Sequence, residues 1–321
     1  MAFLATDLRP PRADGGEQIT RLAAETGAVG IHLGGGCDLE ILTGAPLVGT
    51  ALRLGLELPT VALPLAERIL PAGRRLPRLG APARDEREAA IALAAHGLAA
   101  AGSFGTRIAI VDFGAVALSA DASVFALAFA RRAVGPDEPG GELLAAALAE
   151  RRALAPEILD ACQWALERLL RAADRAGLRL AVQVGVTPWQ SLSPREAGIL
   201  RETFGAALGV TWDPGRLSLL ATLELPVADD RLTSLAAAAA LVVENDAVGL
   251  EAGYLPGLGE RSERLAAFSP PASALRVVTG HPGSTDAEVA AALASSAITG
   301  STVAGSASAA LKTGPERPGA G

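Results

Sequence analysis

Short runs of consecutive apolar residues punctuate this chain, separated by longer stretches whose apolar positions recur at helical spacing. Eight runs stand out: Phe3–Asp7, Val29–Leu33, Thr60–Pro64, Arg107–Phe113, Arg179–Gly185, Leu208–Asp213, Ala239–Asn245 and Leu275–Gly280. Most show no alternation of apolar and polar positions. A strand covered on one face alternates, whereas a strand of a parallel sheet covered on both faces reads as an unbroken apolar run. The eight runs are therefore assigned as parallel strands.

Between them, Gly16–Thr26 and Arg84–Ala101 are helical by composition and period. Leu143–Gly177 is too long for one ordinary helix, and Pro156 is expected to start its second part, because proline is tolerated in a first turn. That part gathers Ile158, Leu159, Cys162, Leu166, Leu169 and Leu170 on one face. Ser193–Phe204 opens with SPRE, which predicts a capping box with Ser193 as N-cap and Glu196 at N3. Thr285–Ser295 reads as a further short helix. Strand–helix alternation gives an α/β fold, and eight strands favour a single closed (β/α)8 TIM barrel over an open doubly wound sheet. The open sheet would carry G-x-G-x-x-G after its first strand, and the sequence there is LRPPRADGG. The expected barrel covers residues 1–299, and residues 300–321 read as a disordered tail rich in Gly, Ser and Ala. Residues 65–83 and 134–141 look like insertions on loops of the active-site face.

Composition narrows the chemistry. Among 321 residues, Lys+Arg is 28 and Asp+Glu is 35, a net charge of -7, which disfavours a nucleic-acid partner. No run is long enough for a membrane span, and the N-terminus lacks the features of a secretory signal, so a cytoplasmic location and no membrane association are expected. The single lysine, Lys312, lies in the presumed tail, which removes Schiff-base chemistry and the GxxxxGK[ST] phosphate loop. Cys37 and Cys162 make no CxxC pair, so a thiolate zinc site is not expected.

In a barrel, chemistry sits at the C-terminal ends of strands. There the sequence offers Asp7, His32, Asp112, Gln183, Asp213, Glu244, Asn245, Asp246, Thr279 and His281. Strand ends also turn polar simply by leaving the core, and a histidine on a buried strand can be a core residue. Trp189 and Trp212 could line a sugar pocket, since a ring face suits the apolar face of a sugar, or Trp212 could pack in the core.

Two segments carry a family resemblance: VTWDPGRL at Val210–Leu217, and AVGLEAGYLPGLGERSERL at Ala247–Leu265. With DPGR at Asp213–Arg216 and PGLGE at Pro256–Glu260, the chain resembles the xylose-isomerase-like TIM barrels, which include sugar-phosphate isomerases and epimerases and the endonuclease IV type. The resemblance spans residues 1–296. It implies a divalent metal (Mn, Mg, Co or Zn) held by a glutamate on strand five, the aspartate of D-x-x-H on strand six, a histidine on strand seven and a glutamate on strand eight. This chain has Gln183, Asp213, Val243 or Glu244, and Thr279 in those places, with Arg216 for the histidine of D-x-x-H. Asp213 is the ligand retained, and Asp213–Arg216 is expected to form an ion pair filling the metal site. The implied function is a sugar or sugar-phosphate isomerase or epimerase acting on a small carbohydrate with an altered metal site. The alternative is a barrel that has lost the activity and binds a ligand or a protein partner. The expected catalytic set is Gln183, Asp213, Arg216, Glu244 and His281; the expected substrate-binding set is His32, Asp112, Trp189, Trp212 and Glu260.

Overall fold

The computed structural model describes residues 2–8, 16–34, 46–63 and 77–296. The tail assigned to 300–321 and most of the insertion assigned to 65–83 lie outside the described residues.

All eight apolar runs contain strands. They are β1 (Phe3–Ala5), β2 (Gly30–Leu33), β3 (Glu57–Ala62), β4 (Ile108–Val111), β5 (Arg179–Val182), β6 (Leu208–Trp212), β7 (Ala239–Glu244) and, last in sequence, β10 (Leu275–Val278). Every neighbouring pair is parallel, and β10 pairs with both β7 and β1, so the sheet closes into an eight-stranded barrel. Closure leaves no free edge. Between β7 and β10 the chain adds an antiparallel hairpin, β8 (Asp246–Val248) and β9 (Glu251–Tyr254). Gly249, at φ 60° in its two-residue turn, takes a conformation that other L-residues rarely adopt.

The barrel is filled by its own side chains. Phe3, Ala5, Ile110, Leu241 and Val277 form one interior cluster, and Ile108, Ala181 and Ala240 another. The alternate residues, such as Leu4, Ile31, Val111, Val182 and Val242, join the larger core between sheet and helices. Period-two alternation assigns the two sets, so both faces of each strand are apolar and the sequence shows unbroken runs.

The helices are α1 (Glu17–Thr26), α2 (Pro46–Arg53), α3 (Arg84–Ser103), α4 (Ala122–Ala130), α5 (Pro139–Arg175), α6 (Pro194–Phe204), α7 (Pro214–Thr222) and α8 (Asp229–Ala237). Residues 286–296 are also helical. Helix α5 corrects the expected break: it runs through Pro156 without interruption for 37 residues, and it begins at Pro139, inside the segment assigned to a loop. Pro156 is exposed, so the backbone carbonyl it leaves without a donor faces water rather than the core. The capping box is present. Ser193 accepts from the Glu196 backbone, and the Glu196 carboxylate accepts from the Ser193 backbone N–H. The same buried carboxylate pairs with Arg151 of α5, tying α6 to the long helix. No helix among the described residues is long and apolar enough to cross a membrane.

Candidate functional site

A cavity of about 240 Å³ opens at the C-terminal end of the barrel. Its polar wall is assembled from one strand end after another: His32 from β2, Asp112 past β4, Gln183 past β5, Asp213 and Arg216 past β6, Asn245 past β7 and Thr279 past β10. Ala62, Ile110, Val243 and Val277 form its apolar floor, and Ala252 and Gly253 of β9 contribute to the side. A ring of parallel strands points successive ends at one space, so residues far apart in sequence converge there.

The DPGR segment is the joint between β6 and α7. Asp213 is the N-cap, its carboxylate accepting the Arg216 backbone N–H at 2.8 Å, and Pro214 occupies the first turn. Gly215 is required by close approach: its N–H donates to Asn245 Oδ1 at 3.0 Å, and a Cβ there would lie 2.5 Å from that oxygen. The expected Asp213–Arg216 ion pair is corrected in one respect. The guanidinium reaches Asp112, at 3.9 Å, while Asp213 takes the backbone N–H of Arg216. Arg216 Nε is buried with no hydrogen-bond partner among the described residues. Burial raises the Asp213 pKa; the Arg216 backbone N–H, the Arg216 charge, the Asn245 amide and the Arg261 charge oppose it in part. Burial also lowers His32 from 6.5 to about 4, so its ring is neutral near pH 7. His32 Nδ1 lies 2.8 Å from the Thr60 hydroxyl on the neighbouring strand.

Five of the ten expected site residues therefore share the cavity: His32, Asp112, Gln183, Asp213 and Arg216. The other five lie elsewhere. Glu244 follows the cavity-lining Val243, so strand alternation turns it to the outer face of the sheet. There its carboxylate is held by Arg276 of β10 and, at 3.7 Å, by Arg261. Trp212 packs in the outer core against Phe268. Trp189 is buried against Phe125 and donates its indole N–H to Ala120 O at 2.7 Å, which uses its polar end for structure. His281 is exposed beyond the barrel rim, stacked on Tyr254. Glu260 is exposed, with its backbone bridged to Ala247 in both directions. The PGLGE segment thus acts through its main chain: Gly257 N–H donates to Asp246, which also pairs with Arg261 at 3.1 Å.

Sequence reasoning overlooked Arg261 and Arg276. A basic residue at position 276, inside a strand covered on both faces, needs a buried acid nearby, and that requirement points to Glu244. Thr60 was also overlooked; nothing in an apolar run marks a threonine as a partner for His32.

No family model and no curated protein matches the sequence. Solved structures match over nearly their whole length at low identity. An L-ribulose 3-epimerase is 11% identical with a TM-score of 0.61, covering 99% of this chain and 100% of that one. The 3-keto-D-glucoside 4-epimerase of E. coli is 14% identical with a TM-score of 0.58, covering 91% and 97%. A xylose isomerase domain protein from Planctomyces limnophilus is 14% identical with a TM-score of 0.53, covering 93% and 95%. The chain thus has the fold of the xylose-isomerase-like TIM barrels.

Proposed function

We propose that this barrel binds a small carbohydrate in the cavity at its C-terminal end, in a site that no longer uses a divalent metal. The observation that carries the reading is the composition of four positions. Gln183, Asp213, Val243 and Thr279, which stand where the resemblance puts the metal ligands, all line one cavity. A hard dication needs several anionic or imidazole donors. This set has one carboxylate, one neutral amide, one hydroxyl and one hydrocarbon, with the Arg216 guanidinium alongside. The donors do not fit the metal. Among the described residues, no group of three or more His, Cys, Asp or Glu side chains converges on a metal-sized point either.

What remains suits a polyol. Gln183 and Thr279 can donate and accept, Asp112 accepts, and Arg216 donates. Asp112 and Arg216 offset one another and Asp213 adds a further carboxyl, so the cavity holds no net positive charge to attract an anionic ligand. The volume lies below the range of about 300–1,000 Å³ usual for drug-sized ligands, which favours a monosaccharide.

Isomerase or epimerase chemistry without a metal is a second reading, and one observation favours it. Gln183 and Thr279 cannot exchange a proton at carbon, but Asp213 is a cavity-lining carboxyl with a raised pKa, closer to the range of a working acid or base. Solvent-deuterium incorporation into ketoses, lost in Asp213→Asn, would establish it.

Thermal melting of the full chain with a panel of neutral pentoses and hexoses, and separately with Mn²⁺, Mg²⁺, Co²⁺ and Zn²⁺, tests the main reading. A sugar at a hundredfold excess over its Kd should add about 2.7 kcal/mol of stability. The metals should add none. A stoichiometric metal whose stabilisation disappears in Asp213→Ala would overturn the metal-free site.

A further inference from the structure

Among the described residues, a second cavity lies outside the barrel wall, between the start of α3, the middle of α5 and the segment that follows β4. Its volume is about 450 Å³, nearly twice that of the cavity at the barrel mouth. That falls in the range of about 300–1,000 Å³ usual for small-molecule sites. Leu154, Glu157, Ile158, Ala161 and Trp164 recur along α5 at helical spacing, so they form one stripe facing the cavity, with Asp160 beside them. Trp164 is held in place: the Arg168 guanidinium lies 3.5 Å over its ring, and that of Arg87 lies 5.4 Å from the ring centroid. No residue lines both cavities.

The charges of the lining select the ligand. Arg78 is paired with Glu86 at 3.0 Å. Arg87 has no carboxylate partner among the described residues. Its Nη1 donates to Ala81 O at 2.7 Å and to Pro82 O at 2.6 Å, and its Nε has no hydrogen-bond partner among them. Two backbone carbonyls thus orient this guanidinium without neutralising it. On the α5 wall, Glu157 and Asp160 are exposed and make no hydrogen bond or ion pair among the described residues. The lining therefore carries one uncompensated cation and two uncompensated anions, and Leu154, Ile158 and Val116 supply hydrocarbon. An anion alone would meet two carboxylates, and a cation alone would meet the guanidinium. We propose that this cavity is a second ligand site that takes a small zwitterion with an apolar body, of amino-acid to dipeptide size. The ligand carboxylate sits on Arg87, and its ammonium on Glu157 and Asp160, in charge-assisted hydrogen bonds. The two acidic residues stand three apart on α5, which makes them neighbours on one helix face. The ligand's hydrocarbon leaves water against Leu154, Ile158 and Val116.

Titration calorimetry of the full chain with leucine, leucyl-leucine and 6-aminohexanoate, set against hexanoate and hexylamine, tests the proposal. At least one zwitterion should bind, and the singly charged analogues should bind at least about tenfold more weakly. Glu157→Gln and Asp160→Asn change exposed side chains with no partner to lose, so circular dichroism and melting should not move. Each should weaken zwitterion binding by about tenfold. Arg216→Met, in the other cavity, should leave that binding unchanged. Trp164→Phe should abolish the ligand-induced change in tryptophan fluorescence, because Trp189 and Trp212 are buried elsewhere. No binding of any of the three zwitterions at millimolar concentration would overturn the proposal. So would binding indifferent to both Glu157→Gln and Asp160→Asn, binding lost in Arg216→Met, or equal binding by hexanoate or hexylamine.

Discussion

Two charged clusters sit at the same end of this barrel, one residue out of phase with each other. The inner one, Asp112, Asp213 and Arg216 with neutral His32, faces the cavity. The outer one, Glu244, Asp246, Arg261 and Arg276, faces the helices and the hairpin. In the outer cluster each charge is close to an opposite one. Glu244 lies between two guanidiniums, Asp246 takes Arg261 and the Gly257 N–H, and Arg261 also donates to Asn245 O at 2.8 Å. In the inner cluster the one ion pair among the described residues is 3.9 Å long, Arg216 Nε has no hydrogen-bond partner among them, and burial has shifted both Asp213 and His32 toward their neutral forms. Buried charge that is fully paired serves structure. Buried polar groups left loosely paired around a space are what a ligand can complete. The order of stability effects should follow that division.

The largest effect is expected in the outer cluster. Glu244→Gln keeps the shape but leaves the guanidinium of Arg276 without its counter-charge, at a cost of about 3–5 kcal/mol. Urea unfolding at pH 7 measures it. A loss below about 1 kcal/mol would mean that the outer cluster is as loose as the inner one. Next comes His32, through pH. Its folded pKa of about 4 lies below the unfolded 6.5, so the unfolded chain binds the extra proton between those values. His32 costs nothing above pH 6.5, and stability is lost as pH falls from 6.5 through 4. The full loss is about 3 kcal/mol at 1.36 kcal/mol per unit. His32→Gln should remove it, and unfolding curves of the two proteins should diverge over that window alone. Parallel curves would show that the ring is hydrated.

The same phase difference explains what could be read in advance. All eight strands were legible because a strand buried on both faces is apolar at every position. For the same reason the runs carry no sign of which residues face inward, so the strand-seven position stayed open between Val243 and Glu244. Neighbouring strands settle that register, and it moves an expected catalytic carboxylate to the outside. The DPGR joint was legible because Asp, Pro and Gly each have a local role at a helix start. The partner of Arg216 was not, because Asp112 arrives from another strand. The hairpin had a signal that went unused, a glycine as the first turn residue between AV and LEA. Helix α5 shows the opposite error. A proline looked like the first turn of a second helix, but one helix runs through it because Pro156 sits on the wet face.

The smallest stability effects belong to the cavity, where loss of stability and loss of binding should separate. Asp213→Ala removes the N-cap of α7 and should cost about 1 kcal/mol. Asp213→Asn keeps a capping oxygen and removes the titration. Because the folded pKa of Asp213 is raised, the native state holds the extra proton just above 3.8, and its contribution makes stability fall as pH rises through that window. The wild-type curve minus the Asn curve should slope downward there and flatten once the raised pKa is passed. Arg216→Met should be milder still. The pair it breaks is long and partly solvated, Asp112 keeps the Gly114 N–H at 2.8 Å, and an unpartnered Nε is removed, so the change should stay within about 1 kcal/mol. Yet Arg216 is the guanidinium lining the cavity, and its hydrogen bonds to a ligand would be charge-assisted. Sugar-dependent stabilisation should therefore fall by tenfold or more in affinity while the unliganded melt barely moves. An equal loss in both measurements would make the inner cluster a second structural knot, and the division between the two clusters would disappear.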